Sequence, residues 1–139
     1  MSLTPAGDAK LFQPEGWIQP RGYAHGLSVS GRMIILAGQI GWNPETGAFE
    51  SDDFTDQVRQ ALTNIVTLLG EAGGSPSRLV RLTWFITDKS EYLAAVREVG
   101  AAYREVIGAH YPPMSVVVVN GLLEDRAKVE IEATAVIPE

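Results

Sequence analysis

The sequence predicts an α+β domain with one mixed β-sheet and two helices packed on one face of that sheet. Apolar residues recur at spacings of three and four in two segments, as in amphipathic helices, and alternate with polar residues in the other ordered segments, as in strands. The predicted order is β-hairpin, helix, strand, helix, strand, strand. Each strand–helix–strand step is long enough for a crossover, which places its two strands parallel and both helices on a common face.

The first part of the chain is predicted to hold an irregular arm followed by a hairpin. Residues 1–20 contain three prolines and are expected to be irregular or partly strand-like. Residues 27–30 and 32–37 have strand character and are separated only by Gly31, which favours a tight hairpin. A turn-rich loop is then predicted at residues 41–47.

A long helix and a strand are predicted in the middle of the chain. An apolar stripe at helical spacing begins at Phe54 and ends before Gly73-Gly74, a pair suited to a helix C-terminus. The stripe consists of Phe54, Val58, Ala61, Leu62, Ile65, Leu68, Leu69 and Ala72. Acidic residues at 52, 53 and 56 would place favourable negative charge at the start of this helix. Residues 79–87 alternate like a strand, and one side of it carries Val80, Leu82, Trp84 and Ile86.

The last third of the chain is predicted to contain a second helix and two strands. Ser90 can cap the helix, which is expected to stop near Gly108. Residues 114–120 and 128–137 are the predicted strands. Aromatic residues within the regular segments, such as Trp84 and Tyr103, are expected in the core.

Two of the predicted strands are apolar on both faces. Residues 33–36 and 116–119 are continuous apolar runs, which are typical of strands buried on both sides. Two helices cover only one face of the sheet, so we expect the other face to be buried against a second copy of the chain in a homo-oligomer. The alternative is that the N-terminal arm covers that face.

Composition narrows the classes of function. The chain has 139 residues, the size of one domain spanning residues 1–139, and 11 basic against 17 acidic residues give a net charge of −6. That charge opposes binding to nucleic acid or to an anionic membrane surface. The sequence has no cysteine, which excludes disulfides and thiolate chemistry, and no recognisable secretion signal, so a cytoplasmic location is expected.

Familiar catalytic motifs are absent from the sequence. It contains no Walker loop, no GxGxxG, no HExxH and no GxSxG. Its two histidines, His25 and His110, are far apart and have no evident third metal ligand, so structural roles are favoured and no metal site is predicted.

The last predicted strand carries the most informative pattern. Val129, Ile131, Ala133 and Ala135 share one face, and Lys128, Glu130, Glu132 and Thr134 share the other. If the apolar set meets the helices, the carboxylates face the region expected between subunits. A partly desolvated carboxylate there could orient or deprotonate water. A solvated strand edge, or an intersubunit ion pair with Arg81, is the alternative.

Several segments together resemble one protein family. They are Gly22-Tyr23, Leu36-Ala37-Gly38-Gln39-Ile40, Asn43-Pro44-Glu45-Thr46-Gly47, the helix segment 57–65, the strand 80–88 and the segment 129–136. Over residues 20–137 the chain resembles the Rid family of reactive-intermediate deaminases, also called the YjgF or L-PSP family. The resemblance implies a chorismate-mutase-like α+β fold, assembled as a homotrimer with ligand clefts between subunits.

The resemblance also implies an activity and a site. Well-known members hydrolyse 2-imino acids, formed from enamines, to 2-oxo acids and ammonia without cofactor or metal. By resemblance, Glu130 is the catalytic carboxylate that holds the attacking water. The cleft residues implied by resemblance are Tyr23, Gly38, Gln39, Ile40 and Val116.

The sequence departs from the family pattern at the cleft. Met114 stands where the deaminase subgroup has an arginine that binds the substrate carboxylate, a role that a thioether cannot fill. Gly41 and the bulky Trp42 follow Gln-Ile where the family has proline, and Arg97 stands near a family asparagine. Met114, Trp42 and Arg97 therefore indicate a reshaped, more apolar cleft with a relocated cation. The expected substrate is a larger imine or enamine rather than a small 2-imino acid.

Three other functions compete with imine hydrolysis. A non-catalytic small-molecule-binding or chaperone-like homologue would keep the fold and the cleft. Endoribonuclease activity, an older family label, is opposed by the net charge of −6. Chorismate mutase activity would require several cations for a dianionic substrate, and Met114 in place of arginine weighs against it.

Overall fold

The computed structural model describes residues 9–138. The strands in chain order are β1 (Lys10–Phe12), β2 (Gly26–Ser28), β3 (Arg32–Ile40), β4 (Leu79–Ile86), β5 (Met114–Val118) and β6 (Val129–Ile137). The helices are α1 (Phe54–Glu71), α2 (Lys89–Ala94) and α3 (Val96–Val106), with a 3-10 turn at Pro76–Arg78.

A mixed sheet of four strands, in the order β3-β6-β4-β5, is the framework of the fold. Strand β6 runs antiparallel to both β3 and β4, and β4 runs parallel to β5. Strands β3 and β4 therefore point the same way, as do β4 and β5. The prediction that both helical crossovers join parallel strands is confirmed.

The predicted hairpin around Gly31 is wrong. Strand β2 pairs antiparallel with β1, from Lys10 opposite Ser28, in a separate two-stranded sheet. Gly31 has a φ of +144°, and a Cβ there would collide with the carbonyl oxygen of Ile137. The glycine thus marks a close approach to the end of β6, with which β3 pairs, instead of a turn. The strand β1 confirms that the arm is partly strand-like, whereas residues 1–8 lie outside the described residues.

Helix α1 follows the predicted boundaries and buries the predicted stripe. Asp53 caps it by accepting a hydrogen bond of 3.0 Å from the backbone N–H of Asp56. The helix ends where Gly73 takes a φ of +81° and the Gly74 N–H bonds the Leu69 carbonyl at 2.7 Å. Asp52, in contrast, pairs with Arg126 at 2.9 Å, and Leu68 lies at the exposed edge of the stripe.

The predicted second helix is broken into two. Asp88, not Ser90, provides the cap, since its carboxylate accepts from the Glu91 N–H at 3.0 Å. Ala95 separates α2 from α3 with φ −106° and ψ 11°, outside the helical range. No proline or glycine stands at 95, so the sequence holds no local signal for the break.

Strand β4 buries Leu82, Trp84 and Ile86 as predicted, but Leu79 takes the place expected for Val80. The pairing of β4 with β6 shifts register between Leu79 and Arg81, which turns the first residue inward. Trp84 and Tyr103 lie in the core as expected.

The two faces of the main sheet differ in what covers them. Helices α1 and α3 pack on one face, where the apolar side chains of β6 (Val129, Ile131, Ala133 and Ala135) are buried. The opposite face, called the open face below, exposes Met33 by 61%, Ile35 by 74% and Val117 by 42%. The described part of the N-terminal arm does not cover these residues. No helix within residues 9–138 is long and apolar enough to cross a bilayer.

Gly41 is required by the close packing of α1 over the end of β3. A Cβ at this position would lie 2.5 Å from the Cα of Gln57 and 2.7 Å from its carbonyl oxygen, both backbone atoms. We therefore expect Gly41→Ala to lower the free energy of unfolding in urea by about 1–3 kcal/mol. Gly70→Ala is the control, because a Cβ at that exposed helical position meets nothing within 4 Å. A loss of stability no larger in Gly41→Ala than in Gly70→Ala would contradict this packing.

Candidate functional site

Glu130 lies on the open face, as the alternation predicted. In the sheet it stands between Ile40 of β3 and Phe85 of β4. Its side chain is half-buried, and it makes no hydrogen bond or ion pair with any residue in the described part of the chain. A carboxylate with unused acceptor positions can hold and orient a water molecule.

Gly38 makes room for this carboxylate. The β3–β6 pairing shifts register between Leu36 and Gln39, so Gly38 has no partner residue in β6. A Cβ at Gly38 would collide with the Oε2 of Glu130. Glu130, Gly38 and Ile40 therefore form one group of residues, which we call the carboxylate group.

Met114 and Val116 lie on the other face of the sheet. They stand opposite Leu82 and Trp84 in the parallel β4–β5 register, and those two side chains are buried beneath the helices. Because side chains alternate along a strand, Met114 and Val116 point to the helix side. Within one chain they are thus separated from Glu130 by the sheet.

Tyr23 lies beside the start of β5, the strand that begins at Met114. The Ala24 N–H bonds the Pro112 carbonyl at 3.3 Å, and Ala24 forms a bridge with Pro113, so the segment before β2 lies along the start of β5. The Tyr23 ring is 37% exposed and meets the His25 ring edge-on, with 5.8 Å between the ring centroids. Tyr23, Met114 and Val116 form a second group, which we call the edge group.

A cleft of about 210 Å³ adjoins the edge group between β5 and the helices α2 and α3. Its lining residues are Arg21, Gly22, Trp84, Tyr92, Val96, Val99, Gly100, Tyr103, Arg104, Tyr111, Met114 and Val116. Most of these side chains are aromatic or apolar. On one side of the cleft, the Tyr103 hydroxyl donates a 2.6 Å hydrogen bond to the His110 carbonyl, which fixes the position of its ring. Burial raises the pKa of Tyr103 well above its usual value, which keeps the phenol neutral.

Three residues proposed from the resemblance lie in neither group. Trp42 packs against Phe49 in its own loop, with ring centroids 6.1 Å apart. Arg97 is exposed on the first turn of α3 and does not line the cleft. The Gln39 side chain donates to the nearby carbonyl of Ala37 at 3.1 Å.

Two arginines at the cleft were not singled out from the sequence. Arg104 follows Val96 and Gly100 at spacings of four, so the three share one face of α3, and all three line the cleft. That spacing was a usable signal. Arg21 reaches the cleft through the contact between Ala24 and Pro112, which no local pattern indicates.

Both histidines bind backbone carbonyls. The Nε2 atom of His110 lies 2.8 Å from the Leu79 carbonyl oxygen, and that of His25 lies 3.0 Å from the Ile18 carbonyl oxygen. Within residues 9–138, no three His, Asp or Glu side chains are grouped as metal ligands would be. These contacts agree with structural roles for the two rings.

Comparison with known proteins identifies the family. The family model described as Endoribonuclease L-PSP matches residues 19–137. The 2-iminobutanoate/2-iminopropanoate deaminase of Escherichia coli is 37% identical over 114 residues, which cover 82% of this chain and 86% of that protein. The chain thus belongs to the Rid family, also called YjgF or L-PSP.

Solved structures of this family share the fold. A Rid-family protein of unknown function from Yersinia pestis, YyfB, superposes with a TM-score of 0.78 at 30% identity, covering 94% of this chain and all of that one (100%). TdcF of E. coli, solved with bound serine, gives a TM-score of 0.67 at 34% identity, with 92% and 98% of the two chains covered. The α+β, YjgF-type fold expected from the resemblance is confirmed, with the second helix divided in two.

Proposed function

We propose that this chain hydrolyses a reactive imine, or the enamine in equilibrium with it, to a carbonyl compound and ammonia. The observation that carries the proposal is the half-buried Glu130 carboxylate, which has unused acceptor positions and is accommodated by Gly38. The similarity to the E. coli 2-iminobutanoate/2-iminopropanoate deaminase supports the reaction class.

The reaction needs an oriented water and a proton relay. Glu130 accepts a proton from water as the water oxygen bonds to the imine carbon, and it returns that proton to the imine nitrogen, which becomes an amine. The hydroxyl proton of the adduct then passes to this amine, which leaves as ammonia. Collapse of this adduct forms the C=O bond, breaks the C–N bond and releases ammonia, so one imine and one water give one carbonyl compound and one ammonia. No redox step occurs, and the carboxylate supplies both the orientation of the water and the proton relay, so the proposal invokes no cofactor or metal.

We propose further that the cleft is completed by a second copy of the chain, in a homotrimer. The carboxylate group and the edge group lie on opposite faces of one sheet, so a single chain cannot bring both to one substrate. The exposed Met33, Ile35 and Val117 give the open face the apolar character of a subunit contact.

The substrate is proposed to be larger than a small 2-imino acid. Met114 supplies no positive charge at the edge group, and its thioether adds apolar surface beside the cleft. A bulky imine or enamine would use that surface, whereas a small imino acid could not.

Ammonia release from freshly generated imines tests the function. An amino-acid oxidase can produce a series of 2-imino acids, from alanine to phenylalanine, and the protein should accelerate ammonia release from the large members above the spontaneous rate. A protein that binds these compounds yet accelerates none of them would support the non-catalytic alternative and overturn the proposal.

Restoring an arginine at the edge group should shift the substrate preference. We expect Met114→Arg to increase kcat/KM for 2-iminobutanoate by about tenfold or more, since a charge-assisted pair with a carboxylate contributes about 1.5–3 kcal/mol. Met114→Gln is the control of similar length without charge. Equal rates for the two variants would contradict the role assigned to Met114.

A further inference from the structure

We propose that the cleft between β5 and the helices α2 and α3 binds an aromatic ring that carries a carboxylate, with Arg21 and Arg104 pairing with the carboxylate. This inference rests on the proposed function and names its substrate class: a 2-imino acid with an aromatic side chain. Arg21 and Arg104 would then replace the cation that Met114 lacks.

The walls of the cleft suit a flat ring. Trp84 and Tyr103 are stacked with centroids 6.4 Å apart and 28° between their planes, and Tyr103 and Tyr111 are stacked at 5.3 Å and 16°. Trp84 and Tyr103 are each only 4% exposed, so the ring surface open to a ligand belongs mainly to the partly exposed Tyr92 and Tyr111, which also line the cleft. Aromatic rings prefer to pack on one another in offset or edge-on geometry. The volume of about 210 Å³ exceeds the ~150 Å³ of a cavity known to hold benzene.

The charge at the cleft has one sign. Arg21 and Arg104 line it, and no acidic residue is among its lining residues, although the whole chain has a net charge of −6. Both side chains are exposed, and neither guanidinium group forms an ion pair or hydrogen bond with another residue between 9 and 138. Two unpaired guanidinium groups beside an apolar cleft favour an anionic ligand, and a planar carboxylate matches their donors.

Gly100 keeps the cleft open at a cost in helix propensity. It lies inside α3, where glycine is less favourable than alanine. Packing does not require it, because an added Cβ would meet only the Nη1 atom of Arg104, at 3.6 Å, which is ordinary contact. A larger residue here would instead project toward the space that we assign to the ring.

Binding of product-like 2-oxo acids tests the inference without turnover. Phenylpyruvate carries both the ring and the carboxylate, pyruvate lacks the ring, and phenylacetone has a methyl group in place of the carboxylate. By titration calorimetry we expect phenylpyruvate to bind at least about tenfold more tightly than either of the others. Equal affinity for phenylpyruvate and pyruvate would overturn the ring site, and equal affinity for phenylpyruvate and phenylacetone would overturn the arginine site.

Matched variants locate the binding. Arg104→Gln should weaken phenylpyruvate binding about tenfold, whereas Arg97→Gln, which changes an exposed arginine of the same helix outside the cleft, should leave it unchanged. Gly100→Phe should fill the cleft and abolish phenylpyruvate binding while thermal unfolding stays at or above the wild-type temperature. Full binding by a folded Gly100→Phe variant would contradict the proposal.

The same measurements separate this inference from the proposed function. If phenylpyruvate binds but no imine is hydrolysed, the ring site is supported and the proposed activity is contradicted. If imines are hydrolysed without any preference for aromatic ones, and phenylpyruvate binds no more tightly than pyruvate, the proposed activity is supported and the ring site is contradicted.

Discussion

Glu130→Gln is expected to lower kcat for imine hydrolysis by about 10²- to 10⁴-fold, the usual contribution of a positioned general base. Glutamine has nearly the same shape but cannot accept a proton from water. The fold should survive, because the Glu130 side chain makes no hydrogen bond or ion pair with any other described residue. Ammonia release measured beside thermal unfolding separates the loss of chemistry from a loss of structure.

Glu132→Gln is the matched control for this variant. Glu132 lies two residues further along β6 on the same face, but it stands opposite Thr83 and is exposed, whereas Glu130 is half-buried. It should keep near-wild-type activity. Equal losses in the two variants would show that charge on the open face matters in general, and would remove the specific role of Glu130.

Ile35→Glu is expected to dissociate the assembly and abolish activity together. Ile35 is 74% exposed on the open face, where the proposed subunit contact would bury it. Each copy would lose about 1.5–3 kcal/mol of apolar burial and would also have to desolvate a carboxylate, at a cost of several kcal/mol. Light scattering on a size-exclusion column should therefore report a monomer in place of a trimer.

The control for Ile35→Glu changes an apolar residue of similar exposure elsewhere. Leu93 is 57% exposed on α2, away from the open face, so Leu93→Glu should remain assembled and active. A wild-type chain that is already a stable monomer would contradict the assembly outright. An Ile35→Glu variant that stays trimeric would instead show that the open face is not the contact.

The periodic patterns correctly predicted the helices and strands that are held in place by burying one apolar face. The apolar spacing of α1 and the alternation of β6 reflect which side of each element faces the core, and the pattern of neighbouring residues is enough to identify that side. The hairpin at Gly31 failed because strand pairing is not local. Gly31 is needed for its approach to Ile137, more than a hundred residues further along the chain.

The candidate site could be predicted only where it depends on local periodicity and not on the pairing of distant strands. Alternation was enough to place Glu130 on the face away from the helices. The separation of Met114 from Glu130 depends on the β4–β5 register, which pairs Leu82 with Met114 and cannot be read from either strand alone. Arg97 was chosen by resemblance, whereas Arg104 is the arginine of α3 that lines the cleft.

Mixing two inactive variants tests the central claim most directly, namely that Glu130 hydrolyses imines in a cleft shared between two copies. Glu130→Gln disables the carboxylate group, and Val116→Trp obstructs the edge group at a residue that is 40% exposed and can accept a larger side chain. Differently tagged copies would be co-expressed, and mixed assemblies isolated by both tags.

In a closed trimeric ring that contains both variants, one of the three clefts combines an intact carboxylate group with an intact edge group. We therefore predict that mixed assemblies recover imine hydrolysis to about a third of the wild-type rate, although each variant alone is inactive. Mixed assemblies that remain as inactive as their parents would contradict a shared cleft.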